Sequence, residues 1–273
     1  MTVEKKEIDK IKTKNSDKSK SPFISMITGE NKGKLESEII YDTDTQIKQV
    51  QNRLWKALKR RYQYDSNLES AQIFLKNHVN SKIPLVILYV DLVGSTNLSM
   101  TIPVDKLVTI IRAFTYEMSL AVYRYEGFVL KYVGDGLIAF FPSLSNKYVV
   151  CDRAVRCGIS MLTIIKNGLN PILNQYDYPD LSAKVGIDEG ENLAIQYEFD
   201  KSAPIDLIGY PMNVTAKMTS LTGPNKITVG NNVYKLLHPN LRLKFHKMKI
   251  IKETGWKYID LENNLPYQVY ITA

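Results

Sequence analysis

The chain has 273 residues, of which 44% are hydrophobic, so it can bury a sizeable core in one large domain or in one medium domain with an extension. It contains no stretch of about 18 consecutive apolar residues and no secretory signal, so we expect a cytoplasmic protein that contacts no membrane. Its two cysteines, Cys151 and Cys157, do not make a disulfide framework and are predicted to be buried thiols.

The net charge of +8 raises the question of a nucleic-acid partner. Residues 1–34 carry nine lysines against five acids, and a second basic cluster is formed by Arg53, Lys56, Lys59, Arg60 and Arg61. Both regions are typical of a solvated tail and a solvated helix face, not of a groove with interleaved aromatic residues. We therefore expect no nucleic-acid partner. Salt-dependent binding of DNA or RNA through residues 44–61 is the alternative.

The first 80 residues are predicted to precede the main domain. Residues 1–40 are rich in Lys, Ser, Asn and Glu with little hydrophobic periodicity, which predicts a mobile lysine-rich tail. Residues 41–80 are predicted to be a helical extension, because apolar residues recur at helical spacing over 45–62 and a shorter helix is indicated over 68–78. The main domain is predicted to span 81–273.

The first half of the main domain predicts a strand, a helix and a hairpin. The strand begins just after Pro84, and a long amphipathic helix follows over 104–125. Residues 126–127, Glu-Gly, predict a glycine cap at the end of this helix. The runs GFVLKYV and GLIAFFP are separated only by Gly134-Asp135 and predict a β-hairpin.

The second half adds further helices and strands. The predicted elements are a helix over 149–167, strands over 183–187 and 194–199, a helix from Tyr210 to just before Gly223, and a strand over 226–229. The order β-α-β-β-α-β with extra strands predicts an α+β fold with a ferredoxin-like core.

Two carboxylates are predicted to meet at one end of the sheet. Asp91 ends the first strand and Asp135 lies in the hairpin turn, which are neighbouring positions in a βαββ unit. Adjacent carboxylates repel each other unless a cation lies between them, and Mg²⁺ binds one or two carboxylates together with water and phosphates. Gly94, Ser95 and Thr96 would offer amides and hydroxyls to a triphosphate. Alone, Asp135 would be a turn residue and Asp91 a helix cap; the pair favours a metal site.

The strings VILYVDLVGST and FVLKYVGDGLIAFF, which contain both acids, resemble the catalytic core of class III nucleotide cyclases, the family of adenylyl and guanylyl cyclases. The resemblance runs from about Ile83 to Val233. It implies two divalent cations, Mg²⁺ or Mn²⁺, bound by Asp91, Asp135 and the backbone carbonyl of Leu92. It also implies a homodimer in which each active site combines residues of both subunits.

The same resemblance assigns nucleotide-binding residues. In APIDLIGYPMNVTAK, Asp206 falls where the family has a base-reading acid, and Asn213 where it has an asparagine that orients the ribose or the transition state. Lys131 falls at the base-reading lysine of adenylyl cyclases, and Tyr89 replaces a phenylalanine that commonly touches the base.

Two lysines depart from the family pattern. Lys217 and Lys184 stand where the family commonly has arginines, and a lysine lacks the bidentate fork that arginine offers to phosphate. Because both metal-binding acids are present, we expect an active enzyme in which these lysines handle phosphate. A catalytically silent module that binds a nucleotide or a protein partner is the alternative.

The YVDLVGST start and the segment IGYPMNVTAKMTSLTGPNKITVG look most like the pyrimidine cyclases of bacterial Pycsar antiphage systems, which make cyclic UMP or cyclic CMP as a signal for a separate effector. This resemblance ranks UTP first as the substrate, CTP second and ATP third. Lys131 as donor and Asp206 as acceptor suit cytosine, adenine or uracil and fit guanine least. The bulk of Tyr89 favours a smaller base.

Overall fold

The computed structural model describes residues 43–60, 68–197, 203–249 and 254–273. Residues Ile40–Ala273 group as one compact unit. The predicted lysine-rich tail over 1–40 lies outside the described residues, and the boundary drawn at residue 81 stays a prediction. Within the described ranges, no helix combines the length and the apolar character needed to cross a membrane.

Helices and strands alternate along the described chain. The helices are α1 (Thr43–Arg60), α2 (Glu69–Lys76), α3 (Ser95–Thr101), α4 (Val104–Arg124), α5 (Lys147–Thr163), a π-helical segment (Ile164–Leu169), α6 (Asn170–Asn174), α7 (Tyr210–Leu221), α8 (Asn231–Leu236) and α9 (Pro239–Arg242). The strands are β1 (Lys82–Leu92), β2 (Phe128–Val133), β3 (Gly136–Pro142), β4 (Ala183–Gln196), β5 (Ile205–Ile208), β6 (Lys226–Gly230), β7 (Phe245–Lys247) and β8 (Val269–Thr272).

The described strands form one mixed sheet in the order β2-β3-β1-β4-β6-β8-β7, and β5 pairs with β4 off this path. The neighbours β2-β3, β3-β1 and β1-β4 are all antiparallel, whereas β4 and β6 are parallel. The first four strands have the order of a ferredoxin-like βαββαβ unit, so the predicted core is confirmed.

The two faces of the sheet have different roles, as the alternation of side chains along β1 shows. Val86, Leu88 and Val90 belong to the main hydrophobic core, which they share with buried residues of α1, α4 and α5. Tyr89 and Asp91 point to the other face, since successive strand residues alternate sides. The helices α2 and α7 pack on this second face, which therefore carries the polar groups as well as a smaller core.

Helix α1 covers the described part of the helix predicted over 45–62, and residues 61 and 62 lie outside the described residues. It is tied to α4 by Arg53, whose Nε and Nη2 lie 2.6 and 2.7 Å from the two carboxylate oxygens of Glu117. Glu117 is only 1% exposed and Arg53 is 20% exposed, so this is a partly buried bidentate ion pair. Arg53 was predicted to belong to a solvated basic cluster, but its side chain instead binds the buried Glu117.

Pro84 lies inside β1, opposite Glu191 of β4, and not before the strand as predicted. In an antiparallel ladder the N–H and C=O of one residue point to the same neighbouring strand. The Pro84 carbonyl accepts a hydrogen bond from Ser143 N at 3.0 Å, just past the end of β3. The missing N–H therefore faces the end of β3, and the proline removes no bond from the β1–β4 ladder.

The end of α4 is capped differently from the prediction. Glu126, and not Gly127, takes the left-handed conformation, with φ 58°. The amide of Gly127 donates to the Val122 carbonyl at 2.9 Å, which is the outer bond of a Schellman cap. Gly127 is required for another reason: a Cβ there would lie 2.5 Å from the ring of Phe141.

Two other boundaries change. The strands predicted over 183–187 and 194–199 are one strand, β4, up to Gln196, and Phe199 lies outside the described residues. The helix predicted over 149–167 starts at Lys147 and passes into the π-helical segment after Thr163. Both cysteines lie in α5 as buried free thiols, as predicted, and burial raises their pKa above the ordinary range.

Candidate active site

Asp91 and Asp135 lie side by side where β1 meets the β2–β3 turn. The turn consists of Gly134 and Asp135, and Gly136 begins β3. A Cβ on Gly136 would lie 3.1 Å from Asp91 Oδ1 and 2.6 Å from the Val90 carbonyl oxygen. Only glycine allows the turn to approach β1 this closely, and the approach brings the two predicted metal ligands together.

We call Asp91, Asp135 and Lys184 the acid cluster. Burial raises the pKa of Asp91 above its ordinary value, the charge of Asp135 raises it further, and the charge of Lys184 lowers it. Lys184 is the direct cross-strand partner of Asp91 on β4. Asp135 Oδ2 is buried and has no hydrogen-bond partner in the described part of the chain. The cluster thus holds two acids against one lysine, with one buried carboxylate oxygen left unpaired.

A divalent cation fits this donor set. An unpaired buried carboxylate oxygen is unfavourable, and a hard cation such as Mg²⁺ or Mn²⁺ would supply its partner. Among the described residues, no group of three or more His, Cys, Asp or Glu is placed to hold a metal ion. A carboxylate pair is sufficient for Mg²⁺, because this ion keeps several waters and takes substrate phosphates as further ligands.

The chain after β1 is open beside the acid cluster. Leu92 ends β1, and Gly94 adopts φ 73° directly before α3. A side chain on Gly94 would meet no atom within 4 Å, so the left-handed φ and not crowding explains the glycine. Ser95 and Thr96 begin α3. Their contact with a triphosphate, and metal binding by the Leu92 carbonyl, stay predictions.

Lys131 and Asp206 form the second group, which we call the base-reading ion pair. Lys131 Nζ on β2 lies 2.5 Å from Asp206 Oδ2 on β5. Asp206 Oδ1 also accepts a hydrogen bond from the Leu207 amide at 2.8 Å. The fold therefore brings the two predicted base-reading residues together, and each satisfies the charge of the other.

Tyr89 lies with the acid cluster in the single chain. Burial raises the pKa of its hydroxyl above the ordinary value, and the charges of Asp91 and Asp135 raise it further. The side chain is half-buried, on the same face of β1 as Asp91. Its predicted contact with the base would therefore bring the base close to the acid cluster.

Asn213 and Lys217 form the third group, which we call the α7 pair. They lie one helical turn apart on the same face of α7. Asn213 is exposed and Lys217 is half-exposed. The Tyr258 hydroxyl donates a hydrogen bond to the Asn213 carbonyl at 3.1 Å, and a Cβ on Gly255 would lie 3.9 Å from Lys217 Nζ. The C-terminal segment thus borders this group. This contact of Tyr258 was not predicted from the sequence, because no spacing in the tail marks it.

Within the described residues, the interactions of the acid cluster and of the base-reading ion pair stay inside each group. The charges that shift the pKa of Asp91 are those of Asp135 and Lys184. The ion pair and the side-chain hydrogen bond of Asp206 lead to Lys131 and the Leu207 amide, in the part of the chain that the structure describes. The resemblance to the family predicts that one bound nucleotide contacts all three groups.

A family model described as the adenylate and guanylate cyclase catalytic domain matches residues 78–261. The chain belongs to this family. The acid cluster, the base-reading ion pair and the α7 pair all lie inside the matched region.

Individual relatives of this cyclase domain are more distant. A cytidylate cyclase of Staphylococcus aureus is 25% identical over 187 residues, covering 65% of this chain and 44% of that protein. A cytidylate cyclase of Escherichia coli is 22% identical over 181 residues, covering 64% and 40%. This chain thus spans less than half the length of either protein. The adenylyl cyclase CyaB from P. aeruginosa shares the fold, with a TM-score of 0.58, 21% identity, and coverage of 71% of this chain and 95% of that one.

Proposed function

We propose that this cyclase domain converts a pyrimidine nucleoside triphosphate to its 3′,5′-cyclic monophosphate and pyrophosphate. The observation that carries the proposal is the acid pair, in which the close approach of Gly136 places Asp135 beside Asp91 and leaves Asp135 Oδ2 buried, with no partner among the described residues. A silent module would have no need for two carboxylates held in this unfavourable arrangement. Membership of the family supports the same reaction.

In the proposed reaction the ribose 3′-oxygen attacks the α-phosphorus and forms the cyclic ester. The bond from this phosphorus to the bridging oxygen breaks, pyrophosphate leaves, and the 3′-hydroxyl proton passes to solvent. Divalent cations held by Asp91 and Asp135 would activate the 3′-hydroxyl and offset the charge of the leaving group. Lys184 would bind the triphosphate, Asn213 would orient the ribose, and Lys217 would stabilise charge developing on the α-phosphate.

The resemblance to class III nucleotide cyclases supports a homodimer with composite sites. In a two-fold dimer, the acid cluster of one subunit can face the base-reading ion pair and the α7 pair of the other, and symmetry makes two equivalent sites. This arrangement would also bring Tyr89 of one subunit against the base that the other subunit reads.

Two pyrimidines compete as the substrate. Asp206 can accept from the amino group of cytosine while Lys131 donates to its ring acceptor. It can equally accept from the N3–H of uracil while Lys131 donates to a carbonyl. The resemblance to Pycsar cyclases ranks UTP first, whereas the names of two relatives, both cytidylate cyclases, favour CTP.

The decisive test is incubation of the purified protein with CTP, UTP, ATP and GTP separately, with Mg²⁺ or Mn²⁺, followed by mass spectrometry of the products. We expect a cyclic monophosphate from CTP or UTP in excess over that from ATP and GTP. The matched control is the Asp91→Asn protein, which should form none. A purine product in excess would overturn the pyrimidine assignment and retain the cyclase.

A catalytically silent binding module is the second candidate. Lys217 favours it, because a lysine lacks the fork that lets an arginine hold a phosphate through two parallel bonds. Such a module would bind one of the four nucleotides, measured by calorimetry, and release neither pyrophosphate nor a cyclic product. Turnover of any NTP that depends on Asp91 would exclude this candidate.

The cellular role follows from the resemblance to Pycsar cyclases. We propose that the cyclic pyrimidine nucleotide serves as a signal that activates a separate effector protein in defence against phage. Cells that carry the wild-type gene with its genomic neighbours should resist phage infection, and cells with the Asp91→Asn gene should not. Equal plaque counts in both strains would reject the defence role without touching the enzyme assignment.

A further inference from the structure

Helix α2 bridges the two strands that carry the base-reading ion pair. On one side, the ring of Phe74 stacks on Phe128 of β2, with centroids 5.2 Å apart. On the other side, the side-chain amide of Gln72 binds both backbone groups of Ile205 in β5. Ile205 N donates to Gln72 Oε1 at 2.8 Å, and Gln72 Nε2 donates to the Ile205 carbonyl at 3.1 Å.

The two hydrogen bonds between Gln72 and Ile205 pair the backbone groups of Ile205 on the outer edge of β5. This strand has four residues and pairs with β4, where Asp206 lies opposite Ile195. Since the backbone groups of successive strand residues point to alternate edges, those of Ile205 are free for a partner other than β4. The Gln72 amide acts as that partner, in the place of an additional strand. A short edge strand is weakly held by one neighbour, so these bonds contribute directly to its position.

We propose that Gln72 is a positioning residue for base selection, which acts through Ile205 to hold the Asp206 carboxylate against Lys131. The inference rests on the proposed cyclase function. Ile205 immediately precedes Asp206, so a shift of β5 moves the carboxylate relative to Lys131 Nζ, 2.5 Å away. Hydrogen bonding to a base depends steeply on such distances and angles.

Loss of Gln72 should affect base recognition more than turnover. The acid cluster lies on β1, β4 and the β2–β3 turn, and Asn213 and Lys217 lie on α7, so the groups that handle the phosphates do not depend on Gln72. A residue that only stabilised the fold would lower activity with every nucleotide alike. A positioning residue for Asp206 should raise the KM of the preferred nucleotide most and leave kcat nearly unchanged.

The test compares Gln72→Leu with Gln51→Leu in the full chain. Gln51 is a matched control, because its Nε2 donates to the Asn167 carbonyl at 2.9 Å and so links α1 to the π-helical segment. Steady-state kinetics are measured with CTP, UTP, ATP and GTP. For Gln72→Leu we expect the KM of the preferred nucleotide to rise about five- to tenfold, with kcat within about twofold, since two neutral hydrogen bonds are lost. Gln51→Leu should keep the wild-type KM and ranking.

A second measurement does not require turnover. The 3′-deoxy analogues of CTP and UTP lack the attacking hydroxyl, and their Kd should rise in Gln72→Leu by the same factor as KM. Gln72→Met keeps the length of the side chain and lacks both polar groups, so its KM should rise as in Gln72→Leu. This second variant carries the test if Gln72→Leu does not fold.

Three results would overturn the inference: a wild-type KM and ranking in the Gln72 variants, equal losses in Gln72→Leu and Gln51→Leu, or a fall in kcat with an unchanged ranking. Failure of the proposed function is distinguishable from these. In that case the wild-type protein itself would form no cyclic product, and the Kd values of the deoxy analogues would decide the role of Gln72.

Discussion

The acid cluster and the base-reading ion pair are both polar sites on one sheet, yet they are satisfied in opposite ways. Asp91 and Asp135 are held together although the charge of Asp135 raises the pKa of Asp91, and Asp135 Oδ2 has no described partner. Lys131 and Asp206 have opposite charges and already bond to each other at 2.5 Å. The first site is arranged for a ligand that brings positive charge. If the second binds a base as we propose, it exchanges an internal bond for bonds to that base.

This difference predicts how the two sites respond to mutation. Removal of an acid from the acid cluster relieves repulsion, so it should cost function and not stability. Removal of a residue from the ion pair leaves a half-buried partner without its bond, so it should change recognition and have some cost in stability. The predictions below separate the two sites on this basis, from the largest expected effect to the smallest.

The largest effect is expected for Asp91→Asn. This change keeps the shape of the side chain and removes half of the carboxylate pair, so pyrophosphate release should fall by a factor on the order of a thousand or more. The melting temperature should stay level or rise, because the repulsion with Asp135 is relieved. Asp177→Asn is the control, since Asp177 is exposed at φ 56°, a conformation that asparagine tolerates. A wild-type rate in Asp91→Asn would refute the metal-site assignment.

Asp188 sharpens the contrast, because it is a buried acid that no lysine of the described ranges offsets. It is fully buried, it accepts a hydrogen bond from the Tyr267 hydroxyl at 2.8 Å, and burial raises its pKa to about 8. The unfolded chain would ionise this group near its ordinary pKa. Unfolding therefore releases a proton between about pH 4 and 8, and stability falls as the pH rises through this window.

Asp188→Asn should remove that pH dependence. The wild-type free energy of unfolding should fall by about 2–4 kcal/mol between pH 4.5 and 8, and in Asp188→Asn the fall should be much smaller. Denaturant unfolding at a series of pH values measures both proteins. Parallel curves for the two proteins would show that Asp188 is ionised in the folded state.

Asp206→Ala should reduce selectivity as well as rate. The ammonium of Lys131 loses its partner, and the base loses its acceptor, so we expect kcat/KM for the preferred nucleotide to fall about 10- to 100-fold. The values for the competing nucleotides should fall less. Glu191→Ala is the control, because it breaks an exposed ion pair with Lys82, 3.8 Å long, away from the site. An unchanged ranking of the four nucleotides in Asp206→Ala would place the base elsewhere.

The smallest effects are expected at Tyr89. This residue lies beside the acid cluster and is predicted to contact the base. Tyr89→Phe should retain the rate within about threefold and weaken discrimination between pyrimidines if the hydroxyl reads the base. Tyr89→Ala should raise the turnover of ATP relative to CTP and UTP, because it removes bulk. If both variants keep the wild-type ranking, Tyr89 does not contact the base.

Much of the acid cluster and its scaffold could be predicted from the sequence, since the determinants are local. A strand that ends in Asp91 and a hairpin turn that contains Asp135 are readable from short runs, and the ferredoxin-like order places them together. Gly136 was identifiable as a turn neighbour, but its close approach to Asp91 Oδ1 depends on the register between β1 and β3.

The surroundings of the base-reading ion pair could not be read in this way. The hydrogen bonds between Gln72 and Ile205 join residues 133 positions apart. Neither residue has a type or a sequence spacing that would predict this contact. β4 was predicted as two strands because Asp188-Glu189-Gly190 has the composition of a turn. In the structure Gly190 continues the strand, and the buried Asp188 is held by Tyr267 from the C-terminal segment. Such long-range contacts decide which polar residues are structural.

The central claim is that the acid cluster of one subunit and the α7 pair of the other subunit act on the same nucleotide. Asp91→Asn and Asn213→Ala proteins, each inactive alone, are mixed in equal amounts, subunit exchange is verified, and pyrophosphate release is measured with the preferred NTP. We predict recovery to about a quarter of the wild-type rate, since half of the re-formed dimers are mixed and each of these has one intact site. Full subunit exchange with no recovery would contradict the composite site and place the whole reaction within one chain.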